Sequence, residues 1–350
     1  MSLAIGNNVV TFSDNSTMSS GWTGYKNRII NGAMMIDQRN NGSSTTTVNG
    51  YHLDRWMTGS IGGATFTIQQ VTDAPAGFYK SYKMTVSTSS TSADYNDIRQ
   101  RIEGNNVADL NWGESNGSPI TVSFWVKANT TGTYSGRVTY YGPTTYYYHF
   151  EYTINSSNTW QKITVSISAP PTSAGAFSNS LNTSYMELNV LIMQTSSYTN
   201  SVTPNVWSST GGYRTTNNSV YFPSVSGATF QFTGVQLEKG SVASSYEYRP
   251  YGTEAHLCYR YFYKLGGLGN NQAIYFNGGT LPSSSSGCPV IINCPAVFRT
   301  SPDFSTNLAD ANYNTGTLSG SQWHFGQMSN GTVSKSGTGF GIFGQTCFLL

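Results

Sequence analysis

Apolar and polar residues alternate with a period of two along much of this chain, and this alternation is what most constrains its fold. In the stretch 146–154, one set of alternate positions holds Tyr146, Tyr148, Phe150, Tyr152 and Ile154, and the other holds Tyr147, His149, Glu151 and Thr153. The stretch 121–128 alternates in the same way, except that Trp125 falls on the polar side. Because successive side chains of a strand point to opposite faces, such stretches predict antiparallel strands with one face on a core.

Similar runs recur along the chain and predict an all-β protein built as a two-sheet sandwich. They lie at 66–71, 82–86, 163–167, 186–192, 220–222 and 230–237, and clusters of Gly, Asn, Ser and Pro separate them. Only 10% of the residues are charged, whereas 14% are aromatic. A surface that is polar without charge is typical of strands and turns rather than of helices, whose exposed positions usually carry Glu, Lys and Arg.

At roughly 150 residues per domain, the 350 residues predict about two folded units. We interpret 1–26 as an N-terminal attachment arm, 27–250 as the sandwich, 251–266 as a short helical connector and 267–350 as a smaller distal β domain. In the connector, Thr253 can cap a helix that carries Leu257, Tyr261 and Leu265 at intervals of four residues and ends at Gly266.

Charge excludes one large class of partner. Lys and Arg number 18 against 16 Asp and Glu, a net charge of +2, whereas a nucleic-acid binder needs a clear basic excess. We therefore expect no nucleic-acid partner. No apolar run is long enough to span a bilayer, and the first residues lack the pattern of a secretory signal, so we expect no membrane insertion.

The four cysteines, Cys258, Cys288, Cys294 and Cys347, all lie in the last hundred residues, without the spacing of a zinc site. We expect buried thiols, and two disulfides remain an alternative.

The chain contains strings that look catalytic but lack the context that catalysis needs. Residues 113–117 fit G-x-S-x-G and residues 339–344 fit G-x-G-x-x-G, yet neither precedes a predicted helix. The four histidines are far apart, and no spacing forces two carboxylates together as a glycosidase would need. We therefore expect no catalytic residues and no enzyme activity.

Aromatic side chains are abundant, with 24 Tyr and 7 Trp. The apolar face of a sugar ring stacks on such rings, while amide and charged groups bind its hydroxyls. Candidate glycan contacts lie in predicted loops and hairpins: Trp112, Tyr141, Tyr147, His149, Trp207, Tyr213, Tyr313, Trp323 and His324. The alternative for each is a place in the core or at a subunit interface.

Several ordered segments resemble known proteins. The segments 27–40 (NRIINGAMMIDQRN) and 51–56 (YHLDRW) resemble the opening block of bacteriophage tail fibre proteins, and 246–254 (YEYRPYGTE), 258–261 (CYRY) and 295–302 (PAVFRTSP) are similar to later parts of that family. The segments 123–128 (SFWVKA), 159–162 (TWQK) and 232–240 (FTGVQLEKG) are similar to the succession in jelly-roll carbohydrate-binding modules. The resemblance covers about residues 10–265 well and the remainder loosely.

This resemblance implies a jelly-roll sandwich in a homotrimeric receptor-binding protein of the virion tail, assembled in the host cytoplasm. It implies noncovalent attachment to a host surface polysaccharide or lipopolysaccharide, and contact of the N-terminal arm with other tail or baseplate proteins. Related jelly-rolls often hold a structural Ca²⁺ at positions that correspond to Asn31 and Glu238, although no cofactor is required for the expected activity. A structural adaptor without a receptor site and a polysaccharide-degrading tailspike are the alternatives.

Overall fold

The structure is a computed structural model. It describes residues 4–6, 9–11, 17–18, 25–46, 49–91, 95–178, 181–194, 202–211, 215–216, 219–264, 290–293, 295–299, 342–343 and 346–349. The chain divides into two compact units, residues 1–254 and 255–350.

The first unit is built from antiparallel strands. Its strands are β1 (Ala4–Gly6), β2 (Val9–Thr11), β3 (Thr17–Met18), β4 (Gly50–Leu53), β5 (Trp56–Ile61), β6 (Thr65–Val71), β7 (Ser81–Thr88), β8 (Tyr95–Glu103), β9 (Ile120–Ala128), β10 (Gly132–Tyr141), β11 (Thr145–Ile154), β12 (Gln161–Ile167), β13 (Ser184–Gln194), β14 (Trp207–Ser208) and β15 (Thr229–Lys239). Short 3-10 helices lie at Gly104–Asn106, Ala108–Leu110, Thr172–Ala174 and Phe222–Ser224.

Two of the sheets face each other as a jelly-roll sandwich, which confirms the predicted fold class. The seven-stranded sheet has the order β14-β11-β10-β13-β8-β5-β4, and the five-stranded sheet has the order β12-β9-β15-β7-β6. The chain passes repeatedly from one sheet to the other, for example from β8 to β9 to β10. Strands β1, β2 and β3 form a separate small sheet.

The alternation predicted from the sequence places aromatic side chains between the two sheets. Along β11, Tyr148, Phe150, Tyr152 and Ile154 lie in the core, as expected. Phe232 of β15 packs edge-on against Trp56 at 5.1 Å between ring centroids and lies 5.0 Å from the ring of Tyr82. Such pairs add to the free energy gained by removing the rings from water.

The segment that precedes β4 is held along β15, more than 200 residues later in the chain. The amide of Arg28 donates to the carbonyl of Leu237 at 2.8 Å, and the amide of Val235 donates to the carbonyl of Gly32 at 2.9 Å. A β-carbon at Gly32 would lie 2.2 Å from the oxygen of Val235. Only glycine therefore allows this close approach.

Helix α1 spans Tyr251–Tyr259, so it begins two residues before the predicted cap at Thr253. Pro250 precedes it, and its carbonyl accepts the amide of Glu254 at 3.1 Å; proline suits a helix start because its φ is already fixed. Cys258 is buried, whereas Leu265 and Gly266 lie outside the described residues.

In the second unit, β16 (Val290–Asn293), β17 (Ile342–Phe343) and β18 (Thr346–Leu349) form a sheet in the order β16-β18-β17. The guanidinium of Arg260 donates to the carbonyl of Val297 at 3.1 Å. The predicted domain boundaries stay predictions. Within the described residues, no helix is both long and apolar enough to cross a membrane.

Replacing Phe232 by alanine should lower the free energy of unfolding by about 3–5 kcal/mol, because it empties a fully buried site between two aromatic rings. Urea denaturation of the purified chain measures this. The control Val242→Ala removes a side chain that is 79% exposed and should change stability by less than about 0.5 kcal/mol. Equal stability of the two variants would contradict the assignment of Phe232 to the core.

Candidate functional site

The outward side chains of four neighbouring strands in the seven-stranded sheet form a polar surface that we call the arginine face. It consists of Asp97, Arg99 and Arg101 of β8, Arg137 and Tyr141 of β10, Tyr147 of β11, and Glu187 and Asn189 of β13. The register brings them together, because Glu187 lies opposite Arg101 on one side and Thr139 on the other. Residues two apart on each strand then share this face.

Glu187 lies at the centre of the arginine face, and its side chain is 2% exposed. Its Oε1 accepts a hydrogen bond from Nη2 of Arg137 at 3.2 Å. Its Oε2 accepts from Nε of Arg101 at 3.2 Å and from the hydroxyl of Tyr141 at 3.1 Å. Both oxygens are thus engaged, as a buried carboxylate requires.

Asp97 is a second buried carboxylate on this face, and four donors bind it. Its Oδ2 accepts from Nη1 of Arg99 at 2.7 Å, from the hydroxyl of Tyr95 at 2.7 Å and from Nδ2 of Asn189 at 2.9 Å. Its Oδ1 accepts from the amide of Gly59 at 2.9 Å.

Burial raises the pKa of Asp97, and the charge of Arg99 works in the opposite direction. Arg99 links the two carboxylates, since its Nε also lies 3.7 Å from Oε2 of Glu187.

Several buried polar atoms on or beside the arginine face have no hydrogen-bond partner among the described residues. They are Nε and Nη1 of Arg137, Oδ1 of Asn189, Oε1 of Glu151, and the hydroxyls of Ser135 and Thr139. The set mixes donors and acceptors. All of these atoms are buried, so they lie beneath the surface that a ligand would touch.

Aromatic rings lie beside these polar atoms. Tyr141 and Tyr147 are half-buried, and Cζ of Arg137 lies 5.4 Å from the ring centroid of Tyr147. The side chain of Arg101 is 47% exposed, so a ligand can reach it from solvent. The arginine face therefore offers rings for stacking and donors for hydrogen bonding in one place.

Three predicted contacts belong to this region, and two others do not. Tyr141 and Tyr147 lie on the face, and His149 is buried opposite Arg137 in the register. Trp112 is 1% exposed. It packs in the core, where its indole nitrogen donates to the carbonyl of Ser118 at 2.7 Å, so its ring presents no face to a ligand.

Trp207 of the edge strand β14 is half-buried. It packs against Trp112 at 5.5 Å and Tyr148 at 5.4 Å between ring centroids, which places it on the core side of the sheet. The remaining candidates, Tyr213, Tyr313, Trp323 and His324, lie outside the described residues.

Asn31 and Glu238 both use their side chains in protein contacts. The amide group of Asn31 donates to the carbonyls of Ile36 and Asp54 and accepts the amide of Ile36. The carboxylate of Glu238 accepts from the amide and hydroxyl of Ser244. No group of three or more His, Cys, Asp or Glu suited to a metal occurs in the described part of the chain. Calcium at Asn31 and Glu238 stays a prediction.

Sequence reasoning missed the charged centre of the site. Asp97 and Glu187 lie on strands that are adjacent only in the folded sheet. A signal existed in the alternation of Asp97, Arg99 and Arg101, since charges are scarce in this chain and these three fall on one face of one strand.

No protein-family model matches the chain, and no curated protein matches it in sequence. Solved structures do resemble its fold. The enzymatically active domain of tailspike protein 4 from bacteriophage CBA120 is 17% identical, with a TM-score of 0.35, over 61% of this chain and 22% of that one.

A tandem of family 22 carbohydrate-binding modules from Paenibacillus barcinonensis Xyn10C is 18% identical, with a TM-score of 0.32, over 53% of this chain and 45% of that one. The C-terminal family 22 module of Clostridium thermocellum Xyn10B is 12% identical, with a TM-score of 0.32, over 59% of this chain and 99% of that one.

Replacing Glu187 by alanine should lower the free energy of unfolding by about 3–5 kcal/mol, because it leaves buried arginine charge without its partner. Glu187→Gln keeps the shape and should cost less. Chemical denaturation measures both. The matched control, Glu114→Ala, removes an exposed carboxylate and should leave stability nearly unchanged. A wild-type unfolding curve for Glu187→Ala would show that the arginine face is not organised around this carboxylate.

Proposed function

We propose that this chain is a carbohydrate-binding protein that holds a glycan noncovalently on the arginine face. The observation that carries the proposal is the combination of the half-buried rings of Tyr141 and Tyr147 with the half-exposed guanidinium of Arg101 on one face. A polyol chain supplies hydroxyls for the guanidinium and an apolar ring face for the tyrosines.

The charges of the arginine face favour a neutral glycan. Arg99, Arg101 and Arg137 are paired with Asp97 and Glu187, and Glu151 lies on the same face. Little net charge is left to attract an ion, so binding should depend only mildly on salt.

We propose binding without catalysis, although the face does bring two carboxylates together. A general acid or nucleophile must reach the glycosidic bond with a free oxygen. Every oxygen of Asp97 and Glu187 already accepts a hydrogen bond from the protein, and both side chains are buried. They are better suited to hold the arginines in place than to transfer protons.

We extend the proposal to the biological role that the sequence resemblance implies. The chain would act as a homotrimeric tail fibre or receptor-binding protein of a phage virion, with the segment 1–26 contacting other tail proteins. Three weak sites on one fibre would raise avidity by about 100-fold or more through effective concentration. Host polysaccharide or lipopolysaccharide would be the receptor.

Tyr141→Ala and Tyr147→Ala should each weaken binding to purified neutral host glycan by about tenfold, because each removes a stacking ring. Isothermal titration calorimetry measures the effect. Tyr79→Ala is the matched control, since Tyr79 is 78% exposed and lies on another part of the unit. Unchanged affinity in both arginine-face variants would overturn the proposed site.

The proposed role predicts a particle with three times the mass of one chain in light scattering, and purified protein that binds host cells and blocks infection. A stable monomer would contradict the trimer. Failure to bind cells would favour the structural adaptor, and release of reducing sugar from host glycan would favour the degrading tailspike.

A further inference from the structure

The outward surface of the five-stranded sheet carries two half-buried tryptophans, and we call it the tryptophan face. It consists of Trp125, Trp160, Lys83, Lys127, Lys162 and Gln231. Trp125 lies opposite Lys162 in the register of β9 and β12. Trp160 lies two residues before Lys162, so the two tryptophans are diagonal neighbours, with backbones about 7–8 Å apart.

Contacts on the sheet hold Trp160 in place. Its indole nitrogen donates to Oδ1 of Asp73 at 3.3 Å, and Nζ of Lys127 lies 5.1 Å from its ring centroid. Gln231 donates to Oδ2 of Asp73 at 3.2 Å.

Partial burial works to raise the pKa of Asp73, but hydrogen bonds from Lys127, Gln231 and Trp160 bring it below its ordinary value. Asp73 therefore stays ionised and fixes the ring, so stacking a ligand on this ring orders little that is not already ordered.

The charge of the tryptophan face differs from that of the arginine face. Lys83, Lys127 and Lys162 all project from it. Asp73 forms an ion pair with Lys127, and within the described part of the chain Lys83 and Lys162 form no ion pair, so their positive charges stay unbalanced on this surface. An anionic ligand is thereby favoured over a neutral one.

We propose that the tryptophan face is a second carbohydrate-binding surface and that its ligand is an anionic polysaccharide. The indoles of Trp125 and Trp160 stack on sugar rings. The ammonium groups of Lys83 and Lys162 pair with carboxylates along the polymer. This surface lies on the opposite sheet from the arginine face and does not depend on the function proposed there.

Polygalacturonate and its methyl ester form a matched pair of probes, because esterification removes the charge and keeps the backbone. Titration calorimetry on the full chain should show tighter binding of polygalacturonate, weakened when NaCl rises from about 0.05 to 0.5 M. Trp125→Ala and Trp160→Ala should each weaken it by about tenfold, and Trp160→Phe should restore most of the loss. Thermal unfolding of each variant confirms that it is folded.

The double variant Lys83→Gln, Lys162→Gln should abolish the preference for the charged polymer and its salt dependence. Lys239→Gln is the control, since it removes the same charge at the far end of β15. Wild-type binding in both tryptophan variants would overturn the proposal, as would equal affinity for the two polymers. Inorganic polyphosphate is a further probe. If it bound as tightly as polygalacturonate and the tryptophan variants did not weaken either ligand, binding would be simple ion attraction, and the proposal would be overturned as well.

The two proposed sites can be tested independently of each other. Tyr141→Ala and Tyr147→Ala should leave polygalacturonate binding unchanged, and Trp160→Ala should leave neutral glycan binding unchanged. Loss of polygalacturonate binding in the tyrosine variants would show one shared site and overturn the second surface.

Discussion

The layer of aromatic rings between the two sheets is the interaction on which the rest of the structure depends. Trp56, Tyr82 and Phe232 are fully buried; Trp56 contacts Phe232 across the layer, and Tyr82 contacts Phe232 from the neighbouring strand of the same sheet. Because the side-chain period of a strand is two, placing these rings inward also decides which residues face outward. A slip of one residue in β15 would exchange the core positions for the polar ones, which gives each outer face a fixed set of side chains.

The alternation in the sequence was enough to predict the sandwich and the inward face of β11. It also put Tyr147 on the polar side. The alternation could not predict that β8 pairs with β13, because strand neighbours in a jelly-roll are set by topology and not by distance along the chain. The pairing of Asp97 with Arg99 was visible as a repeat of charge, but the approach of Glu187 was not.

Trp112 shows that local composition does not predict whether a loop residue is buried. Its loop lies among Gly, Ser and Asn residues, which favour an exposed turn, yet the indole is covered by Tyr140 and Trp207. Large rings in loops can close the end of a sandwich, because the gap between two sheets has to be filled there as well.

Helix α1 begins two residues earlier than predicted, and the residue before its start is Pro250, whose fixed φ suits a helix start.

The contacts between the segment 27–32 and β15 have a consequence for how the protein is made. Two stretches separated by some 200 positions hydrogen-bond directly, which is a contact of very high sequence separation. On the ribosome, the earlier stretch must wait for β15 to emerge before its amides find their partners. The nascent sandwich therefore exposes unpaired backbone through most of its synthesis, a period in which chaperones or rapid completion of translation would protect it from aggregation.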